Sequence, residues 1–313
     1  MARLWTAASS SRGRSGQVAV VTGAGRGIGC AVAAELDTRG YRLVLGDIDG
    51  DAAQHTASSL SDAVGVSADM CDPVAVAGLS RTALDRFGRI DVWVNNAGLV
   101  PDGLLQLQSI QLLHRLVQVN LEGVLYGCRE ALLVMAEQGS GHVVNVASMC
   151  ASKPLAGLAA YSATKAAVVA LSEALRRETR QMGAVEVSAV LPYLVDTQAG
   201  RGLRPVLVRP RTSQEVARAV AGVLRRPRAH VYVPGHLRWG LSCLALLPQP
   251  LRDIVDDTLD TDRIAMAVNH AARASYREDL ARWYLDQSPG SGDIVRPARV
   301  GGTGASKDRG APA

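Results

Sequence analysis

The chain has 313 residues, enough to bury one large α/β core and to carry appendages. Its formal charge of +5 is modest, and the basic residues are dispersed without an aromatic platform, which argues against nucleic-acid binding. The five cysteines show neither metal-ligand spacing nor an even-numbered disulfide framework, so we expect reduced thiols in a cytosol and no metal site.

The N-terminal segment, residues 1–16, is rich in Ser, Ala, Gly and Arg and contains no acidic residue. It lacks the apolar stretch of a secretory signal. We therefore expect a disordered leader, with a mitochondrial transit peptide as the alternative.

A glycine-rich turn follows the first predicted strand, an apolar run over 17–22. Residues 22–29 read Thr-Gly-Ala-Gly-Arg-Gly-Ile-Gly and lead into an amphipathic stretch that predicts a helix over 27–39. Glycines let the backbone approach a pyrophosphate, and a helix N-terminus offers unpaired N–H groups to the anion. Although the spacing is not Gly-x-Gly-x-x-Gly, the strand–turn–helix context favours a nucleotide site over a bare turn.

An acidic residue, Asp47, ends the second predicted strand, 42–46. A carboxylate about 20 residues beyond the glycines is placed to bind ribose hydroxyls and to repel a 2′-phosphate, which favours NAD over NADP. Arg26 favours NADP instead, because a guanidinium in the glycine-rich turn would attract that phosphate. The alternative role for Asp47 is to cap the next helix, which Asp49 could do as well.

Short β-rich runs alternate with helical stretches, which predicts a Rossmann-like α/β fold. We expect a doubly wound parallel sheet of about seven strands with helices on both faces, and ligands at the carboxyl ends of the strands. The predicted strands are 17–22, 42–46, 63–67, 91–94, 142–147, 185–191 and 230–233. The predicted helices are 27–39, 51–60, 73–87, 109–137, 160–182 and 213–225.

Three side chains suited to proton transfer follow the run 142–147. Ser148 comes directly after it, and Tyr161 and Lys165 stand about one helical turn apart on the next helix. An ammonium beside a phenol lowers the tyrosine pKa, so Tyr161 could exchange a proton with a carbonyl or alcohol oxygen that Ser148 holds. The alternative is an ordinary amphipathic helix that happens to carry Tyr and Lys.

Together these motifs resemble the short-chain dehydrogenase/reductase family over roughly Gln17 to Gly235. Ser148, Tyr161 and Lys165 match its catalytic residues in order and spacing. The resemblance implies that Asn120 joins them by holding a water in the proton relay. It also implies that residues 17–235 form an NAD-binding catalytic domain.

The resemblance extends to the cofactor site. Residues 95–98, Asn-Asn-Ala-Gly, match a strand-four motif, and Asp69 matches an acidic residue near the adenine. Pro192 and Thr197 match the segment that covers the nicotinamide, but Tyr193 stands where the family usually has Gly. The residues expected to bind cofactor are Gly23, Arg26, Gly27, Ile28, Gly29, Asp47, Asp69, Asn96, Ala97, Gly98, Tyr161, Lys165, Pro192 and Thr197.

The function we expect is reversible hydride transfer between NAD and a secondary alcohol or ketone. Tyr161 takes or returns the proton, Ser148 positions the oxygen, and Lys165 lowers the tyrosine pKa and, by resemblance, grips the nicotinamide ribose. The alternatives are an NADP-dependent carbonyl reductase and a non-catalytic NAD-binding scaffold protein.

A lipophilic small-molecule substrate is expected because the residues that should surround it are mostly apolar. The expected pocket residues are Val100, Met149, Cys150, Leu155, Tyr193, Leu194 and the segment 198–212. Within that segment, an arginine could receive a carboxylate or an acyl-carrier phosphate, but a solvated surface loop is the favoured alternative. The arginines concerned are Arg201, Arg204, Arg209 and Arg211.

Residues 236–287 predict a helical C-terminal extension, followed by a disordered tail over 288–313. The apolar run 237–251 is too short to span a bilayer, and it could pack in a core or subunit interface, lie on a membrane surface, or form a lid. Residues 262–287 predict one long amphipathic helix, with Ile264, Val268, Ala271, Ala272, Tyr276 and Leu280 at helical spacing. We expect a cytoplasmic homodimer or homotetramer, with peripheral membrane contact through 237–251 as the alternative.

Overall fold

The structure, a computed structural model, describes residues 16–206 and 208–284. Its centre is a parallel sheet of seven strands in the order β3-β2-β1-β4-β5-β6-β7. The strands are β1 Val18–Thr22, β2 Arg42–Asp47, β3 Ala63–Ser67, β4 Val92–Asn95, β5 Ser140–Val146, β6 Ala184–Pro192 and β7 His230–Val233. The predicted fold class is confirmed, and each strand lies within two residues of its predicted bounds.

Helices cover both faces of the sheet. They are α1 Gly27–Asp37, α2 Gly50–Ser58, α3 Pro73–Phe87, α4 Ile110–Val117, α5 Gly123–Gln138, α6 Ala159–Glu178 and α7 Ser213–Arg225. Alternate residues of β1 point to opposite faces, so Ala19 and Val21 pack with α1 and α7, and Val18 and Val20 pack with α3 and α5. This two-sided burial explains why the strands read as continuous apolar runs rather than alternating ones.

One predicted helix, 109–137, is divided in the structure. A π-helical segment, Gln118–Glu122, separates α4 from α5. Such widened turns often occur at functional sites, and this one carries Asn120, whose side chain binds the backbone of Leu99 beyond the end of β4. The π-helical turn thus allows Asn120 to contact the segment after β4, a long-range contact that the spacing of apolar residues within the helix does not predict.

The strand order reverses between β1 and β4. The chain moves outward from β1 to β3, then returns to the other side of β1 to form β4. The crevice at such a switch point opens at the carboxyl ends of the two strands, where open α/β sheets bind ligands. Here the glycine-rich turn follows β1, and the residues 96–98 follow β4.

The C-terminal extension forms α8 Leu237–Ala245, α9 Gln249–Leu259, α10 Arg263–Met266 and α11 Ala274–Tyr284. None of the helices in the described ranges has the length and apolar character needed to cross a membrane. The predicted leader, apart from Gly16, and the predicted tail lie outside the described residues.

The single long helix predicted for 262–287 is wrong in its described part, because the chain leaves the helix after Met266 and resumes it at Ala274. The break lets the backbone N–H of Asn269 donate to the carbonyl of Gly202 at 2.9 Å. It also buries Arg273 completely, where its Nε donates to Asp102 Oδ1 at 2.7 Å. These long-range contacts outweigh the local preference for a continuous helix.

Candidate active site

A cavity of about 640 Å³ opens at the switch point and runs from the glycine-rich turn to α6. Gly27 and Asp47 line one end, and Ser148, Tyr161 and Lys165 line the other. Most of the predicted cofactor residues form its wall: Gly23, Arg26, Gly27, Ile28, Asp47, Asn96, Ala97, Gly98, Tyr161, Lys165, Pro192 and Thr197. The exceptions are Gly29 and Asp69, and Asn120 of the predicted catalytic group is also absent from the wall.

The glycine-rich turn is shaped for an anion. Gly27 has a φ of 58°, a left-handed conformation that favours glycine, and a Cβ there would lie 3.4 Å from Thr197 Cγ2. Arg26 is the N-cap of α1, but no side chain caps the helix and its first turn holds no acidic residue. The first N–H groups of α1 are thus open to a phosphate, which supports a dinucleotide at this end of the cavity.

Gly29 supports the turn from behind. A Cβ on Gly29 would lie 2.0 Å from the carbonyl oxygen of Gly23, so any other residue would force α1 away from β1. Its role is therefore the close packing of helix against strand.

Asp47 lines the cavity at its glycine-rich end. Its Oδ2 accepts a hydrogen bond from Gly25 N at 2.8 Å, and its Oδ1 accepts one from Asp49 N at 3.1 Å. Burial raises the pKa of this carboxyl, and the two backbone hydrogen bonds oppose the rise. The cap of α2 is Asp49, which accepts from Ala52 N at 3.0 Å, so Asp47 is free of the capping role considered as its alternative.

The strand-four motif joins the two halves of the crevice. Asn96 Nδ2 donates to the carbonyls of Thr22 at 2.9 Å and Gly23 at 3.0 Å, which fixes the glycine-rich turn to the end of β4. Asn95 points the other way and donates to Asn145 Oδ1 on β5 at 2.8 Å. The motif therefore sets the distance between the cofactor end and the strand that precedes Ser148.

Asn120 and Asp69 act beside the cavity rather than in its wall. The Oδ1 of Asn120 accepts from Leu99 N at 2.7 Å, and its Nδ2 lies 2.9 Å from Leu99 O and 3.3 Å from Thr164 Oγ1. The side chain thus clamps the segment after β4 to α6. The carboxylate of Asp69 accepts from Cys71 N at 2.9 Å, and its neighbours Ala68 and Met70 line the cavity.

Ser148, Tyr161 and Lys165 converge as predicted. Ser148 follows β5 and caps the short turn Met149–Ala151, while α6 presents Tyr161 and Lys165 on one face. The Nζ of Lys165 lies 5.9 Å from the centre of the Tyr161 ring. Both side chains are buried, with 9% of Tyr161 and 4% of Lys165 exposed.

Burial dominates the acid–base properties of this pair. It raises the pKa of Tyr161 well above its ordinary value, and the Ser148 hydroxyl beside the phenol opposes the rise. Burial also lowers the pKa of Lys165 to about 8. The phenol pKa is thus raised rather than lowered as expected, because burial outweighs any effect of the Lys165 ammonium, which donates to Val146 O.

The rest of the cavity wall is mainly apolar. It includes the six residues predicted individually to surround the substrate, Val100, Met149, Cys150, Leu155, Tyr193 and Leu194. Of the predicted segment 198–212, only a part lines the cavity: Gln198, Ala199, Gly200, Leu203, Val206 and Val208. Tyr193 also closes the following loop, because its hydroxyl donates to Val206 O at 2.8 Å and accepts from Val206 N at 3.0 Å. None of the four predicted arginines, Arg201, Arg204, Arg209 and Arg211, lines the cavity. Arg209 and Arg211 bind Glu215; Arg209 is 63% exposed, as the solvated-loop alternative predicts, whereas Arg211 is only 13% exposed.

The C-terminal extension completes the wall of the cavity. This role, a lid, is the third of the sequence-based alternatives for residues 237–251, after packing in a core or subunit interface and contact with a membrane surface. Leu237, Leu241 and Leu244 of α8 and Leu280 of α11 line the cavity. The hydroxyl of Tyr276 accepts from Val100 N at 2.7 Å and attaches α11 to the segment after β4.

Sequence reasoning missed the polar residues that the extension contributes. Lys153 forms an ion pair with Asp256 of α9, and both line the cavity. Asp279 of α11 binds Arg26 of the glycine-rich turn. The only signal in the sequence was the helical spacing of Tyr276 and Leu280, which identified the buried face of α11 but not its polar neighbours.

Comparison with known proteins places this geometry in a family. The family model described as short chain dehydrogenase matches residues 17–206. An uncharacterized oxidoreductase of Staphylococcus aureus strain USA300 is 35% identical over 219 residues, which cover 69% of this chain and 94% of that protein. An uncharacterized oxidoreductase of Staphylococcus saprophyticus is 37% identical over 185 residues, covering 58% of this chain and 75% of that protein.

Solved structures agree with the sequence relatives. A short chain dehydrogenase/reductase from Burkholderia phymatum, in complex with NAD, superposes with a TM-score of 0.67 at 27% identity, covering 73% of this chain and 92% of its own. A 3-ketoacyl-(acyl-carrier-protein) reductase from Brucella melitensis, complexed with NADH, gives a TM-score of 0.64 at 28% identity, covering 70% and 97%.

Proposed function

The chain belongs to the short-chain dehydrogenase family, and on that premise we propose that it transfers hydride reversibly between NAD and a lipophilic secondary alcohol or ketone. As a member it is an NAD(P)-dependent oxidoreductase that acts on CH–OH or carbonyl groups. The observation that carries the proposal is the continuity of one cavity, which joins an anion-binding turn and Asp47 to Ser148, Tyr161 and Lys165.

The proposed cofactor site uses three features of this chain. The uncapped start of α1 receives the pyrophosphate, and Asp47 accepts hydrogen bonds from the adenosine ribose. Lys165 and Thr197 lie near the nicotinamide end, by analogy with the family. The bound cofactor supplies or accepts the hydride.

The proposed roles of the protein residues concern the proton and the substrate oxygen. Tyr161 gives its phenolic proton to a carbonyl oxygen in reduction and takes it back in oxidation. Ser148 holds that oxygen and stabilises its developing charge. We assign Asn120 a positioning role, because its side-chain amide binds Leu99 and Thr164 beside the cavity. By analogy with the family, Asn120 also holds a water molecule in the proton relay.

A lipophilic substrate is supported by the chemistry of the wall. Leu155, Tyr193, Leu241 and Leu280 face the cavity from four separate segments, and burial of apolar surface there would drive binding. We propose that residues 17–235 form the catalytic domain and that residues 236–284 cap its cavity.

A substrate panel read by NADH fluorescence tests this proposal. Secondary alcohols and ketones of increasing chain length, including steroid-like and retinoid-like members, should show kcat/KM rising with apolar size. Polar short-chain alcohols are the matched comparison. A preference for polar substrates would contradict the lipophilic class, and tight NAD binding without turnover of any member would favour the scaffold alternative.

NADP-dependent carbonyl reduction is the second candidate, and Arg26 is the observation that favours it. The guanidinium lies in the cavity wall beside the glycine-rich turn, where a 2′-phosphate could reach it. Parallel titration with NADP and NAD separates the two functions, and a wild-type preference for NADP would select this one.

A further inference from the structure

The guanidinium of Arg26 joins three segments that are distant in sequence. Its Nη1 donates to Asp279 Oδ2 at 2.5 Å and to Gln198 Oε1 at 2.9 Å. Gln198 Nε2 in turn donates to Asp279 Oδ2 at 2.9 Å, and Asp49 Oδ2 lies 3.8 Å from Arg26 Nη2. The cation of the glycine-rich turn is therefore already engaged by a carboxylate and an amide.

Asp279 lies on α11, and other residues of α11 and the turn before it attach this helix to the rest of the protein. Tyr276, one turn earlier on α11, accepts a hydrogen bond from Val100 N at 2.7 Å. Arg273 and Arg277 bind the two oxygens of Asp102 at 2.7 and 2.8 Å. These contacts attach α11 to the segment after β4, so the carboxylate of Asp279 is presented to Arg26 by a fixed element.

The charge balance around Arg26 disfavours a further anion. One guanidinium faces the carboxylates of Asp279, Asp49 and Asp47. Asp47 is the last residue of β2, and Asp49 lies in the turn that follows. A 2′-phosphate would bring about two negative charges into this group and would compete with Asp279 for Arg26. NAD, which lacks that phosphate, meets no such competition.

We propose that Asp279 is a cofactor-specificity residue, which excludes NADP by occupying the arginine that would otherwise bind the 2′-phosphate. The inference rests on the proposed preference for NAD. It assigns part of that preference to the C-terminal extension, which lies beyond residue 206, where the match to the family model ends. Asp279 differs from Asp47 in its expected effect. Asp47 faces the ribose and strengthens NAD binding, whereas Asp279 touches Arg26 and weakens NADP binding alone.

The test compares Asp279→Asn with Glu278→Gln. Glu278 is exposed on the same helix and does not line the cavity, so its variant changes the net charge equally without touching Arg26. Dissociation constants for NADP and NAD are measured on the substrate-free enzyme by quenching of protein fluorescence. Because the Arg26–Asp279 pair is partly exposed, we expect Asp279→Asn to strengthen NADP binding about three- to thirtyfold and to leave NAD binding within about twofold.

Arg26→Ala completes the experiment in both backgrounds. If Asp279 acts by occupying Arg26, loss of Arg26 should weaken NADP binding strongly in Asp279→Asn and only slightly in the wild type. Asp279→Glu, which keeps the carboxylate, should retain the wild-type preference and serves as the second variant if Asp279→Asn folds poorly.

Three outcomes separate this inference from the function on which it rests. Equal NADP affinities in Asp279→Asn and Glu278→Gln, in a wild type that prefers NAD, overturn the role of Asp279 alone. Equal losses of NADP and NAD affinity in Asp279→Asn would assign it a purely structural role and overturn the inference as well. A wild type that prefers NADP overturns the proposed cofactor preference itself.

Discussion

The ammonium of Lys165 donates a hydrogen bond to the backbone carbonyl of Val146, with 3.0 Å between Nζ and O. This contact ties α6 to the end of β5, two residues before Ser148. Only 4% of Lys165 is exposed, and its Nζ approaches Gly98, where a Cβ would lie 3.3 Å away. Glycine at position 98 leaves room for the ammonium of Lys165, and burying that charge lowers the free energy of unfolding.

Lys165→Met should stabilise the fold while it abolishes activity. Burial lowers the lysine pKa from 10.5 to about 8, so carrying the ammonium at neutral pH costs about 3 kcal/mol of unfolding free energy. Methionine removes that cost but leaves Val146 O without its donor, so we expect a net gain of roughly 1–2 kcal/mol and a Tm higher by several degrees at pH 7.

The pH dependence of this gain has a definite sign. The cost is complete below pH 8, where the folded protein holds a charged lysine, and it falls as the pH rises from 8 toward 10.5. The difference in Tm between variant and wild type should therefore shrink over that range. Lys153→Met is the control, since it breaks an ion pair with Asp256 and should lower Tm; a Lys165→Met protein less stable than wild type at pH 7 would refute the buried-charge argument.

Tyr161→Phe should lower kcat by about 10²–10⁴-fold and leave the dissociation constant of NAD nearly unchanged, because only the hydroxyl carries the proton. Tyr276→Phe is a matched control, a second buried phenol in the same cavity whose hydroxyl binds the backbone of Val100. Stopped-flow measurement of NADH formation with both variants checks the prediction. Near-wild-type turnover in Tyr161→Phe would remove Tyr161 from the mechanism.

Reduction and oxidation should respond oppositely to pH. Burial raises the pKa of Tyr161, so the phenol that donates a proton in reduction persists through neutral pH. The phenolate needed for alcohol oxidation accumulates only as the pH rises. We expect kcat/KM for oxidation to increase steadily from pH 6 to 10, and kcat/KM for reduction to stay constant at the acidic end of that range. A bell-shaped pH profile for oxidation with its maximum below pH 7 would contradict this assignment.

Asp47→Ala should weaken NAD binding and reduce the exclusion of NADP. The carboxylate faces the proposed ribose site, where each charged hydrogen bond contributes about 1.5–3 kcal/mol. A wild-type preference for NAD of about ten- to a thousandfold in kcat/KM should therefore fall in the variant. Asp51→Ala, which removes an exposed carboxylate from the first turn of α2, should keep the wild-type ratio.

Asp102→Asn should destabilise the protein by about 3 kcal/mol, because it leaves the fully buried guanidinium of Arg273 without its compensating charge. Asp260→Asn breaks an exposed pair with Arg263 and should change the stability by less than about 1 kcal/mol. Urea denaturation of both variants measures the difference. Equal midpoints would show that the carbonyls of Val100 and Ala199 suffice for Arg273.

Local patterns were enough to predict the sheet and the convergence of Ser148, Tyr161 and Lys165. The central strands β1 and β4 are buried runs, and parallel strands bring their carboxyl ends together, so motif positions translate directly into space. The Arg26–Asp279 pair joins residues 253 positions apart, and no periodicity links them. The break in 262–287 has the same origin, since Arg273 belongs to a helical pattern locally but binds Asp102 in the interior.

The attachment of α11 to Val100 and Asp102 also bears on the order in which the protein matures during synthesis. The sheet and the glycine-rich turn are complete once residue 233 has left the ribosome, and domains generally fold as the chain emerges. The cavity gains its last wall only when α11 arrives. The growing chain would thus gain its nucleotide site before it encloses a lipophilic substrate, and until α11 is in place the apolar lining of the cavity is exposed to solvent.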